Sequence, residues 1–282
     1  MHKLLPLALL AALLLTACRG VTFSEAKIGP NQTETIAVPA PDSDTANLTL
    51  RFGAADQFRL QPGATGLVQG TVQYNVEQLK PTVTTSGSQV TIEQKLDNLT
   101  FSNQMHNAWD LKISDAIPLA LTVEAGAYKG TYDLGGLRLR GLKVQQGAAD
   151  STYDFSKPNP DAMERLSFSS GAASLTVSNL ANANAAAMRF DTAAGDYTLD
   201  FGGTLARTSN VDIHAAATSL TIHVPSGTPM LVQIKGTLND TSQIGFDKIG
   251  DQQYANAAWD EAKPHIVVTI DDAIGAVKLV SK

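Results

Sequence analysis

The chain has 282 residues, with 21 Lys+Arg against 27 Asp+Glu (formal charge −6) and 43% hydrophobic against 17% charged residues. That is enough apolar material for a sizeable core in one or two domains, and the mild acidity argues against a nucleic-acid partner, whose binders carry a dense basic face. The single cysteine excludes an intramolecular disulfide and a multi-cysteine zinc site, and no apolar run is long enough for a membrane-spanning helix.

The first element is Met1-His2-Lys3 followed by an almost unbroken Leu/Ala stretch from Leu4 to Leu15. It reads as a secretory signal peptide over 1–17, too short for a membrane span. Leu15-Thr16-Ala17-Cys18 is similar to a bacterial lipobox, which implies cleavage before Cys18 and acylation of that cysteine. Each buried acyl CH₂ contributes about 0.8 kcal/mol of membrane affinity, so several chains anchor firmly. Residues 18–46, with Pro30, Pro39 and Pro41, are expected to form a tether of roughly 30 Å. The alternative there is an ordered first strand around Thr35–Val38.

From residue 47 to 282 the period is that of strands. Leu48, Leu50 and Phe52 alternate with polar residues, as do Leu119, Leu121 and Val123, then Leu142 and Val144, then Leu220, Ile222 and Val224. The best helical candidate, Leu180 to Met188, is carried mainly by alanine and is open to reading as a loop or irregular strand. Small triads recur at Ala125-Gly126-Ala127, Gly147-Ala148-Ala149, Gly171-Ala172-Ala173, Ala193-Ala194-Gly195 and Ala215-Ala216-Ala217. Their middle residues are 22, 24, 22 and 22 positions apart. Gly53-Ala54-Ala55 is an earlier member and Gly275-Ala276 the expected last one. A constant period of this length predicts an all-β solenoid of coils of about 22 residues, with small residues at a tight corner. The alternative is a β-sandwich with alanine-rich turns. Lys80 to Gln104 is expected to hold strands with an excursion, and Thr237 to Lys263 a late loop or cap.

Asn107-Ala108-Trp109-Asp110-Leu111, Ile117-Pro118-Leu119-Ala120-Leu121 and Tyr132-Asp133-Leu134-Gly135-Gly136-Leu137, together with the neighbouring triads, resemble the toast-rack domain. The clearest part covers about 106–156, and a looser repeat covers most of 48–280. That family is associated with cell-wall-active antibiotic response proteins and neighbours the adhesin-like solenoids. The resemblance implies an extracytoplasmic β-solenoid and no catalytic residues.

Motifs for chemistry are scarce. The sequence has no Gly-x-Gly-x-x-Gly, no P-loop, no Gly-x-Ser-x-Gly and no His-Glu-x-x-His. His214 and His223 are placed to approach across a corner, without a third ligand. Asp133, Asp154 and Asp200 share one local frame, with Ser178 and His223 in the equivalent places of other coils. Stacked coils would bring Asp133 and Asp154 about 5 Å apart. Such a ladder invites a Ca²⁺ ion or an acid–base pair, or else it is a solvated column. Asp56, Asp150 and Asp196 follow small triads and are expected to hydrogen-bond turn amides. Trp109 and Trp259 are either sugar-stacking aromatics or caps over an open coil. The expectation is therefore a non-enzymatic lipoprotein, anchored by acylated Cys18 to the cell or outer membrane and facing away from the cytoplasm. It would present a surface to a wall polymer or envelope protein, or modulate envelope stress signalling. The competing reading is a polysaccharide-acting enzyme built on the aspartate ladder.

Overall fold

The computed structural model describes residues 24–25, 27–94, 99–100, 102, 104–236 and 239–282. The expected signal peptide and Cys18 lie outside these residues.

In chain order the N-terminal strands are β1 (Ser24–Glu25), β2 (Gln32–Val38), β3 (Ala46–Pro62), β4 (Val68–Tyr74), β5 (Thr82–Ser86), β6 (Gln89–Glu93), β7 (Leu99–Thr100) and β8 (Asn107–Ile113). The middle strands are β9 (Leu119–Asp133), β10 (Leu139–Gln146), β11 (Ala149–Asp154), β12 (Met163–Ser178), β13 (Ala185–Asp200) and β14 (Ser209–Val224). The last are β15 (Met230–Lys235), β16 (Asn239–Ile244), β17 (Phe246–Gly250), β18 (Gln253–Asn256) and β19 (Ile266–Ser281).

The long strands bend at their small residues into two limbs, and parallel stacking of the limbs builds two sheets. The first runs β5-β6-β3-β9-β10-β12-β13-β14-β19-β15-β18-β17. The second runs β2-β4-β8-β3-β9-β11-β12-β13-β14-β19-β16. This is a β-solenoid, and the parallel in-register coils exclude the sandwich alternative.

Register shows why the apolar residues alternate. Leu48, Leu121, Leu142, Leu166, Met188, Val211, Val268 and Val232 form one inward ladder. All of them are buried. Each such side chain contributes about 1.5–3 kcal/mol on burial. An aromatic file runs beside this ladder. Phe52 stacks on Phe58 at 4.7 Å, Phe58 on Tyr132 at 5.0 Å and Tyr132 on Tyr153 at 4.1 Å. Tyr153 then meets Phe168 edge-on at 4.8 Å, and Phe168 stacks on Phe190 at 5.5 Å. The Tyr128 hydroxyl donates to Gln146 Oε1 at 2.7 Å and lies 3.0 Å from the Tyr153 hydroxyl, while Tyr132 donates to it at 3.2 Å. Burial pushes the Tyr132 and Tyr153 phenols well above their ordinary range, and that of Tyr128 upward as well.

The corner carries the small triads. A Cβ on Gly126 would fall on the Gly53 carbonyl, so the coils approach there more closely than alanine allows. The paired positions Ala125, Gln146, Ser170, Thr192 and Ala215 give coil lengths of 21, 24, 22 and 23 residues. The third side is closed by turns held by asparagines. Asn159 Nδ2 donates to the carbonyls of Leu139 (2.7 Å) and Ala183 (3.1 Å), and Asn182 Nδ2 to that of Phe155 (2.9 Å).

Four expectations change. Residues 32–38 of the expected tether form β2, because Ile36 and Val38 are buried beneath its antiparallel pairing with β4. The helical candidate is a short 3₁₀ turn, Leu180–Ala183, running into β13. Residues 239–256 within the expected loop are three strands, β16 to β18. The last corner is not Gly275-Ala276, since Ala215 and Ala217 pair with Asp272 and Ile274.

Candidate functional site

The aspartate ladder exists in the register expected. Asp154 pairs with Asp133 on one side and Ser178 on the other, and Asp200 pairs with His223. Its carboxylates, however, hold the third-side turns. Asp133 Oδ1 accepts the Gly135 N–H at 2.9 Å and the Ser156 hydroxyl at 2.6 Å. Asp154 Oδ1 accepts Asn179 Nδ2 at 2.7 Å, and Asp200 Oδ1 accepts the Gly202 N–H at 3.1 Å. For Asp133 and Asp200 these are turn-capping bonds, in which a carboxylate at a strand end accepts the amide two residues on, while Asp154 is held by an asparagine side chain of the next coil. Among the described residues no group of three or more His, Cys, Asp or Glu is arranged to hold a metal ion.

Beside this ladder lies one the sequence reading missed. Thr131, Thr152, Thr176, Thr198 and Thr221 pair in succession on the outer face of the second sheet. Arg59 stands at one end of the row and Lys278 at the other. The next row outward is Lys129, Asp150, Ser174, Asp196 and Ser219. At about 4.8 Å per strand, the five threonines form a straight hydroxyl file roughly 19 Å long. The signal was available, because each Thr sits four or five residues after the middle of its triad. Without the register it reads only as strand propensity.

The second aspartate set behaves otherwise than expected. Asp150 and Asp196 project from strands in this outer row, and Asp150 pairs with Lys129 at 3.6 Å. Asp56 does accept a backbone amide, but that of Asn107 on β8 at 3.1 Å, together with His106 Nδ1 at 2.8 Å. His214 and His223 occupy different limbs of β14 and do not converge.

The tryptophans divide. Trp109 is only 1% exposed. It lies 5.4 Å from Phe52 and 5.8 Å from Phe58, as a plug at the N-terminal end. Trp259 is partly exposed and lines an open cleft of about 740 Å³ beside the turns at 203–205 and 227–229.

The sequence profile for the N-terminal domain of toast_rack (DUF2154) matches residues 27–178, more than half of the 282-residue chain. The chain belongs to the toast-rack family. The matched segment ends with β12, yet the toast-rack coils continue in register into β13, β14 and β19. No curated protein matches the sequence. Among solved structures, a proposed cell adhesion protein from Clostridium sporogenes is similar at 18% identity and TM-score 0.52, over 90% of this chain and 100% of that one. A proposed adhesin from Bacteroides fragilis aligns at 10% identity and TM-score 0.34, over 91% and 99%. A proposed lipid binding protein from Parabacteroides distasonis aligns at 11% and 0.38, over 90% and 98%. The first of these shares the toast-rack chain's fold.

Proposed function

We propose that this toast-rack protein is a non-catalytic, lipid-anchored protein on the outer side of the cell or outer membrane, where its second sheet meets wall or envelope polymers. The observation that carries this reading is the file of five threonines flanked by the row Lys129, Asp150, Ser174, Asp196 and Ser219. It is a rigid plane of donors and acceptors fixed at strand spacing, suited to a polymer with repeating hydroxyls or amides. The bonds of Asp133, Asp154 and Asp200 favour binding over hydrolysis, since each carboxylate is engaged by a turn amide or an asparagine side chain. The lipobox ending in Cys18 supports the anchor.

The test is retention of the full chain on purified wall sacculi. The triple variant Thr152→Lys/Thr176→Lys/Thr198→Lys places long side chains across the file without touching the core. It is expected to keep its melting temperature and lose retention at least about tenfold. Equal retention by parent and variant would remove the face from the reading. Detergent phase partition of Cys18→Ala tests the anchor separately, and a variant that still enters the detergent phase overturns it.

A further inference from the structure

The regular stacking is broken at one place. β19 is paired on one side with β14 and on the other with β15 and β16, although β15 and β16 precede it in the chain. The turn after β14 therefore steps over one coil, and the segment 257–265 drops back into the gap. His265 and Pro229 fix that return. The Ser209 N–H donates to the His265 carbonyl at 3.0 Å, and the Ile266 N–H to the Pro229 carbonyl at 2.9 Å. The cleft of about 740 Å³ opens between this returning segment and the turns at 203–205 and 227–229. Its volume falls in the range of about 300–1,000 Å³ typical of small-molecule sites.

From this geometry we infer that the cleft binds a neutral pyranose unit of a glycan. The inference rests on the envelope-binding reading and names its ligand. The partly exposed Trp259 indole lines the cleft and offers an apolar surface with one N–H, the amphipathic character that suits the C–H face of a sugar ring. Thr204 and Thr228 line the same space with hydroxyls. Asp260 and Lys263, also in the lining, form an ion pair at 3.2 Å. The Ala262 N–H and then Lys263 hold the Asp260 carboxyl below its usual range. The pair supplies an acceptor and donors yet is balanced in charge, so it offers hydroxyl groups partners without drawing a phosphate or a carboxylate. At Gly227 an added Cβ would meet nothing within 4 Å, so the glycine leaves that wall of the cleft bare.

The chain has two tryptophans, and the buried one gives a constant background, so emission reports on Trp259. The experiment titrates the full chain in detergent with chitotetraose, cellotetraose and polygalacturonate by fluorescence and calorimetry. A saturable signal is expected with a neutral oligosaccharide. Affinity should fall at least about tenfold in Trp259→Ala, as for a central aromatic anchor, and stay within severalfold of the parent in Trp259→Phe. Gly227→Gln, which adds a long side chain at the cleft wall, should weaken binding at least about tenfold at unchanged melting temperature. No signal with either neutral oligosaccharide, binding of polygalacturonate alone, or parental affinity in Trp259→Ala would overturn the assignment. If sacculi retain the parent and Trp259→Ala equally, the cleft assignment falls while the envelope reading stands.

Discussion

Replacing Gly195 by alanine tests whether the corner, rather than the apolar ladders alone, defines the coil stack. Gly195 has φ +127°, a conformation that side chains rarely adopt, and holding it there costs about 1–3 kcal/mol. The new Cβ would also land on the Ala173 carbonyl, whose carbon would be 2.9 Å away. Ala173 and Gly195 are register partners on β12 and β13, so the overlap is relieved only by parting two strands at the bend. Overpacking of that kind costs roughly 1–3 kcal/mol, which gives a total near 4 kcal/mol. For a domain of this size, each kcal/mol lowers Tm by about 2–4 °C, so Gly195→Ala should melt about 8–16 °C below the parent by calorimetry. Gly227→Ala is the control, because its Cβ meets nothing and its φ lies outside the strained region, and it should stay within about 0.5 kcal/mol. A Gly195→Ala melting point within about 3 °C of the parent would refute close corner packing as the determinant of the stack.

Tyr128→Phe removes the hydroxyl that joins Gln146, Tyr132 and Tyr153, and should cost about 1–3 kcal/mol in urea denaturation. Burial raises the folded-state phenol values of Tyr128, Tyr132 and Tyr153. The folded state then holds protons that the unfolded state has released, so the stability tied to these groups is intact below about pH 10 and is lost as pH rises through the folded values. Absorbance titration should show their ionisation only together with unfolding, and free titration near pH 10 would contradict the burial. Trp109→Ala should destabilise the N-terminal end by about 3–5 kcal/mol in chemical denaturation while leaving oligosaccharide titrations of the folded protein unchanged. Arg51 bridges Glu93 and Glu124 at 2.8 and 2.6 Å, yet its side chain is 48% exposed. Arg51→Ala should therefore shift stability by no more than about 1 kcal/mol.

The repeat was legible because two demands coincide at each coil. Alternation marks which side chains face inward, and small residues mark the bend where backbones come closest. Position Ala215 could still be misaligned by one, because alanine runs on both sides of the corner satisfy the same steric rule. The long-range insertions were illegible for a related reason. Phe52 pairs with Ala125 and Ala215 with Asp272, and nothing local states that the intervening strands belong to the ends of the stack. The aspartate ladder was readable as a column but not as turn caps, since the amides it serves are defined only by the turn geometry. Trp259 stood out as one of two tryptophans, but its cleft arises from a strand order that no local pattern encodes.

That strand order also bears on how the protein is made. β19 is synthesised after both of its neighbours, and it lies between them with its whole length engaged on both limbs. Until it arrives, β14 presents an open edge and β15 has no parallel partner to hold it against the stack. Coils up to β14 can form as they are synthesised, but β15 and β16 cannot join the stack before β19 is in place. Copies ending before β19 would leave the edge of β14 unpaired, whereas in copies that include β19 that edge is covered along its length. The C-terminal strand thus serves as the keystone of the solenoid.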